Sequence, residues 1–148
     1  MKVVKTNPTA YGRFRNLKVF TKQQFIDFKK YVQDFLTKNY VIPKKKILIP
    51  SVKIYVEIDT KGVLHSINVK GSVAKLKSLT AIDLLLKNSA LDTIEIDKND
   101  KSKKTLKLSS IVDVDGVLWI GHIVVKQKNN GHYFYDHYLS KFSKIEIP

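Results

Sequence analysis

His122 and His137 lie in neighbouring runs of strand-forming residues, and two imidazoles on one surface are the simplest machinery for moving two protons. One could take the proton of a ribose 2′-hydroxyl while the other gives a proton to the departing 5′-oxygen. Lys107 or Lys126 could neutralise the charge that builds on phosphorus between those events. That reaction calls for no metal and no other cofactor. Ser109, Tyr133 and Tyr135 fall in the same three runs and would join this polar surface.

The elements that must position these groups are the runs Lys104 to Val114, Val117 to Gln127 and His132 to Ser140. Asp115-Gly116 supplies the positive-φ residues of a tight turn after the first run, and Asn129-Asn130-Gly131 does so after the second. A two-residue loop at Asp115-Gly116 pairs Val112 with Trp119, Ser110 with Gly121, Ser109 with His122 and Lys107 with Val124. One face then carries Leu106, Leu108, Val112, Trp119, Ile123 and Val125, which is a core. The other carries Lys107, Ser109, His122 and Lys126, interspersed with Ile111, Leu118, Ile120 and Val124. Two closures of the second turn are open: Asn129-Asn130 places His137 opposite His122, and Asn130-Gly131 places it opposite Val124.

The chain has 148 residues, enough for one domain with its own core, and is 43% hydrophobic. Its 27 Lys+Arg against 13 Asp+Glu leave a formal charge of +14, self-repulsive unless a polyanion is the partner. RNA or another nucleic acid is the first candidate. Only Arg13 and Arg15 are arginines, so contacts to the phosphate backbone are expected over bidentate base reading. The absence of cysteine excludes disulfides, thiol nucleophiles and cysteine zinc sites. The apolar runs are too short for a membrane span and Met1 to Thr6 lacks a secretory core, so a cytoplasmic protein with no membrane partner is expected.

In chain order, 1–20 reads as a basic arm with at most a short strand. Tyr11, Arg13, Phe14 and Arg15 alternate aromatic and cationic groups that could hold bases and phosphate, or dock Phe14 and Leu17 on the core. The segment 21–69 reads as a helix plus a hairpin. Thr21 to Asn39 is the helix, opened by the capping box Thr21-Lys22-Gln23-Gln24 and ended before Pro43. Ile47 to Ile49 is a short strand. Lys53 to Ile58 and Val63 to Val69 form the hairpin, with His65 opposite Val56 as a packed or edge histidine. The segment 72–148 reads as a helix plus an antiparallel sheet. Its helix is Thr80 to Lys87, with a possible start at Ser72, and Thr80-Ala81-Ile82-Asp83 reads as a second capping box with Leu79 stapled to Leu84. Leu91 to Asp97 adds the first strand of a four-stranded meander, and the tail from Lys141 a possible edge strand. The expectation is a single α+β domain: a four-stranded antiparallel meander in the C-terminal half, packed on helices, with an N-terminal helix and hairpin.

Plainer readings compete with the chemistry. His122, His137 and the tyrosines could be half-exposed strand residues of high β-propensity. Zinc held by both histidines and Asp136 is disfavoured because Asp136 alternates to the opposite face from His137. A serine hydrolase is disfavoured because Ser109 is mid-strand, without a nucleophile elbow.

The order helix, hairpin and leucine-rich helix, then Ile94-Glu95-Ile96-Asp97-Lys98-Asn99, Thr105-Leu106-Lys107-Leu108 and Gly131-His132-Tyr133-Phe134-Tyr135-Asp136, resembles the barnase/EndoU/colicin/RelE-like nuclease superfamily over Val63 to Ser140, in particular its phage- and mobile-element-associated branches. The resemblance implies a metal-independent, toxin-like ribonuclease acting on tRNA or mRNA from a sheet face. His122, His137, Lys107 and Tyr135 would be its catalytic residues, and a cognate antitoxin or immunity protein its partner. The arginines frequent in such sites are missing from this sheet. Arg13, Arg15, Lys126, Tyr133 and Ser109 are the expected nucleic-acid contacts. Two alternatives stand beside the enzyme: a non-catalytic nucleic-acid-binding protein of phage or plasmid origin, and a protein–protein inhibitor of a host defence system.

Overall fold

Strands β5 (Lys104–Val114) and β6 (Val117–Gln127) are the centre of the molecule. Asp115 (φ 52°) and Gly116 (φ 88°) make the tight turn between them, and Asp113 Oδ1 accepts the Gly116 amide at 2.8 Å. The register is the expected one: Val112 opposes Trp119, Ser110 opposes Gly121, Ser109 opposes His122 and Lys107 opposes Val124. The computed structural model describes residues 2–68, 72–96, 98, 103–128 and 133–145, with the backbone alone at 68 and 134–142.

Antiparallel β4 (Ala90–Ile96) and β7 (Tyr133–Lys144) flank this pair and complete the meander. Two parallel joins, which leave no local turn signal in the sequence, extend it. β1 (Val3–Lys5) lies beside the C-terminal half of β5 on the edge that β4 also occupies, and β3 (Ile54–Ile58) pairs with β7 and then with β2 (Lys46–Ile49). The α+β architecture is therefore a mixed seven-stranded sheet with helices packed on it.

The first helix, α1 (Lys22–Leu36), starts at Thr21 with both capping-box bonds formed, 3.1 Å and 2.9 Å. It runs on through a wider turn at Thr37–Val41 and so ends before Pro43. Its buried face, Phe28, Val32 and Leu36, joins Leu79, Leu85 and Leu86 and the strand residues Leu108, Val112, Ile123 and Val125 in one core.

Three expectations are corrected. Residues 63–68 form no strand, because Asp59 starts a helix: its Oδ1 accepts the Gly62 amide at 2.8 Å and its carbonyl accepts Val63 at 3.1 Å. α2 (Thr60–Asn68) follows, burying Val63, Ser66 and Ile67 at helical spacing, and His65 sits half-buried on it rather than opposite Val56. Thr80 closes a helix instead of opening one. Ser72 caps α3 (Val73–Leu79), and the Thr80 hydroxyl donates back to the Lys77 carbonyl at 2.6 Å. α4 (Ile82–Lys87) then begins without a side-chain cap, and Leu84 is exposed while Leu79 is buried.

The third correction concerns the basic arm. After β1 a 3₁₀ segment, Pro8–Phe14, folds back on the core and buries Tyr11 and Phe14, so neither ring is available to stack on a base. Gly12 (φ 58°) permits this reversal, since a Cβ there would come within 2.9 Å of the Tyr31 ring. Tyr31 in turn donates to the Ala10 carbonyl at 2.7 Å.

Candidate active site on the open face of the sheet

Successive residues of β5 and β6 point to opposite faces, so the register that buries Leu108 and Ile123 presents Ser109 and His122 side by side on the other surface. β4 adds a third group. Leu91 pairs with Leu108 and Thr93 pairs with Lys107, which leaves Asp92 as an extra residue in a β-bulge. The bulge turns the Asp92 carboxylate onto the open face. Its Oδ1 accepts the Ser109 hydroxyl at 3.1 Å, and its Oδ2 lies 3.8 Å from His122 Nδ1, within ion-pair reach but beyond a hydrogen bond.

This Asp92–Ser109–His122 group is the centre of the site, and Asp92 is the member that strand alternation alone did not supply. Its signal was nonetheless present. Leu91 and the pair Ile94, Ile96 are out of phase by one residue, and only a one-residue bulge keeps all three on one face. The imidazole and the carboxylate are each about two-fifths exposed, at 39% and 43%, so the group is open to a ligand while Ser109 beneath it is buried.

Lys107 shares this face and is paired with Glu95 at 2.8 Å. Both partners are well exposed, so this ion pair contributes at most about 1 kcal/mol and a phosphate could displace the glutamate. Lys126, opposite Thr105, is exposed on the same face. Ile111, Leu118 and Ile120 lie half-buried between the polar groups, and Val124 is buried.

The remaining expected site residues are placed differently. Tyr133 pairs with Gln127 and Val56 and packs against the core, away from Ser109 and His122. Tyr135 is in register with the buried Val125 and Ile58. The second hairpin registers midway between the two expected closures and then slips at two irregularities, so His137 falls in the slipped segment between the pairs Val125–Tyr135 and Ile123–Leu139. The side chains of Tyr135, Asp136 and His137, like His132 and the 129–131 turn, lie outside the described residues. Arg13 lies over the Phe14 ring, 4.5 Å from its centroid, and Arg15 is exposed beside the 3₁₀ segment.

The other face holds cations of a different kind. Lys77 is buried, bonds Asp115 of the β5–β6 turn at 2.5 Å and lies 5.0 Å over the Tyr11 ring, so it fastens α3 to the turn that sets the register of the site. Burial lowers the Lys75 ammonium to about 8 and raises the Tyr40 phenol, with Asp83 adding to the latter. Among the described residues no helix is long and apolar enough to cross a membrane.

No curated protein and no solved structure matches the chain. Residues 23–138 match a family described as Large polyvalent protein-associated domain 3, a span that begins in α1, ends in β7 and takes in Asp92, Lys107, Ser109 and His122. With most of its length matched, the chain belongs to the Large polyvalent protein-associated domain 3 family, a domain associated with phages and mobile elements.

Proposed function

We propose that this domain is a metal-independent ribonuclease whose open sheet face cleaves RNA by acid–base chemistry at His122. The observation that carries the reading is the bulged Asp92, whose carboxylate stands 3.8 Å from His122 Nδ1 while holding Ser109 at 3.1 Å. A carboxylate near Nδ1 favours the tautomer with its proton there, which leaves the lone pair on Nε2, the atom that would act as the base. Removal of the 2′-hydroxyl proton lets O2′ attack phosphorus. The P–O5′ bond then breaks, and the 5′-oxygen takes up a proton to leave a 2′,3′-cyclic phosphate and a free 5′-hydroxyl. His137, from the neighbouring strand, is the proposed second proton-transfer group, and Lys107 and Lys126 the counter-charges to the phosphorane. Positioned proton transfer of this kind contributes roughly 10²- to 10⁴-fold in rate.

A second reading, nucleic-acid binding without turnover, draws on the +14 charge and on the pairing of Lys107 with Glu95. Incubating the protein with tRNA and with single-stranded RNA in EDTA separates the two. Products ending in 2′,3′-cyclic phosphate are expected from the ribonuclease. Retention of intact RNA in salt-sensitive complexes would leave binding alone.

A further inference from the structure

Tyr55 is 60% exposed and is the one exposed aromatic side chain among the described residues, the others being buried or half-buried against the core. It stands on β3 directly opposite Leu48 of β2, itself 38% exposed, and the two make a flat apolar patch on the face that also carries His122. Cations close both ends of the patch. Lys53 (φ 55°), also exposed, is held in the left-handed region at the β2–β3 turn, and Lys44 and Lys46 are exposed where β2 begins, while Lys45 turns to the other side and lies 5.3 Å over the Tyr40 ring. Glu57, half-buried opposite Lys46, offsets one of these charges and leaves the balance positive.

We infer that Tyr55, with Leu48 and the flanking lysines, is a base-stacking subsite for single-stranded nucleic acid, an inference that rests on the reading of the open face as a nucleic-acid surface. An apolar ring bracketed by ammonium groups meets both halves of a nucleotide, the π-face of the base and the charge of the phosphates. A duplex hides its base faces and would use only the lysines. The patch also has a defined relation to the site. Lys126, Phe134 and Glu57 lie in one row across β6, β7 and β3; Tyr55 is two residues beyond that row in one direction and His122 four residues beyond it in the other. With a rise of about 3.3 Å per residue and about 4.8 Å between strands, the separation is on the order of 20 Å, a path of several nucleotides. Tyr55 therefore acts on affinity and leaves the chemical step to His122.

The test is fluorescence anisotropy with a labelled short oligothymidylate, which lacks the 2′-hydroxyl and cannot be cleaved, beside a duplex of equal length. Native protein, Tyr55→Ala and Tyr55→Phe are compared, with circular dichroism confirming that each is folded. Tyr55→Ala is expected to weaken single-strand binding roughly 5- to 100-fold, Tyr55→Phe to retain it, and duplex binding to stay within about 2-fold in both. Tyr55→Trp should also lose emission as a base stacks on the indole. Equal affinities of native and Tyr55→Ala proteins, equal losses on single strand and duplex, or no binding by the native protein would each overturn the subsite. Tyr55-dependent binding with no RNA cleavage would remove the ribonuclease reading and leave the subsite standing.

Discussion

Ser109 and Ser110 are neighbours on β5, yet they belong to two different chemistries. Ser110 faces the core opposite Gly121, is fully buried, and its Oγ finds no hydrogen-bond partner among the described residues. Ser109 faces outward, and its hydroxyl is taken up by a carboxylate that a bulge delivers beside an imidazole. The same contrast runs along the hairpin. Ile123 lies in the core next to His122, and Leu108 lies in the core next to Lys107. On the core face burial dictates residue type, and a polar atom without a partner there only adds cost. On the open face the sheet supplies fixed positions, and residue type is left to chemistry.

Truncating neighbouring residues should separate the two faces most strongly. Ile123→Ala should cost about 2–5 kcal/mol of stability, from lost transfer energy and the cavity left behind, whereas His122→Ala should cost less than about 1 kcal/mol. Urea denaturation of the two variants reads the difference, and equal losses would mean that the open face is also structural.

A smaller effect separates the cations of the two faces. Lys75 is 3% exposed, and its folded pKa is lowered to about 8 from an ordinary 10.5. The unfolded chain therefore holds the proton more tightly, so folding is penalised below about pH 8 and the penalty fades between about pH 8 and 10. Above pH 10 the trend should reverse, because Tyr11 and Tyr40 have raised folded pKa values and ionise more readily when unfolded. Thermal denaturation across this range should show a gain of up to about 2 kcal/mol that is absent from Lys75→Met. A gain of the same size in the variant would assign it to general relief of charge repulsion.

The smallest expected effect returns to the two serines. Ser110→Ala removes an unpartnered buried hydroxyl and should be neutral or stabilising by up to about 1 kcal/mol, whereas Ser109→Ala gives up a bond to a carboxylate and should cost about 1–2 kcal/mol. Differential scanning calorimetry of both variants is sufficient, and a marked loss for Ser110→Ala would contradict the assignment.

The legible parts of this fold are those that local chemistry decides. Asp115-Gly116 set the turn, and with it the whole β5–β6 register and the pairing of Ser109 with His122. Thr21 and Gln24 set the start of α1. Misreadings came where two local patterns overlapped. Val63, His65 and Ile67 alternate like a strand, but Val63, Ser66 and Ile67 also share a helix face, and the Asp59 cap decided the matter. Thr80 has the spacing of a helix start and serves instead as a helix end. The parallel joins of β1 and β3 were not legible, because contacts between distant segments carry no turn motif. Tyr11 and Phe14 looked like an aromatic–cationic arm until Gly12 and Tyr31 showed how that segment folds inward. At the site, His122, Ser109 and Lys107 were found from alternation, while Asp92 required a break in alternation to be read as a bulge.

If His122, beside the Asp92 carboxylate, transfers the proton in RNA cleavage, the single-turnover rate at saturating protein must depend on it. His122→Ala should lower that rate by roughly 10²- to 10⁴-fold while RNA affinity stays within about 3-fold, and Asp92→Ala should give a smaller loss in the same step. An unchanged rate in folded His122→Ala protein, or the absence of cleavage by the native protein on every RNA class tried, would contradict that role.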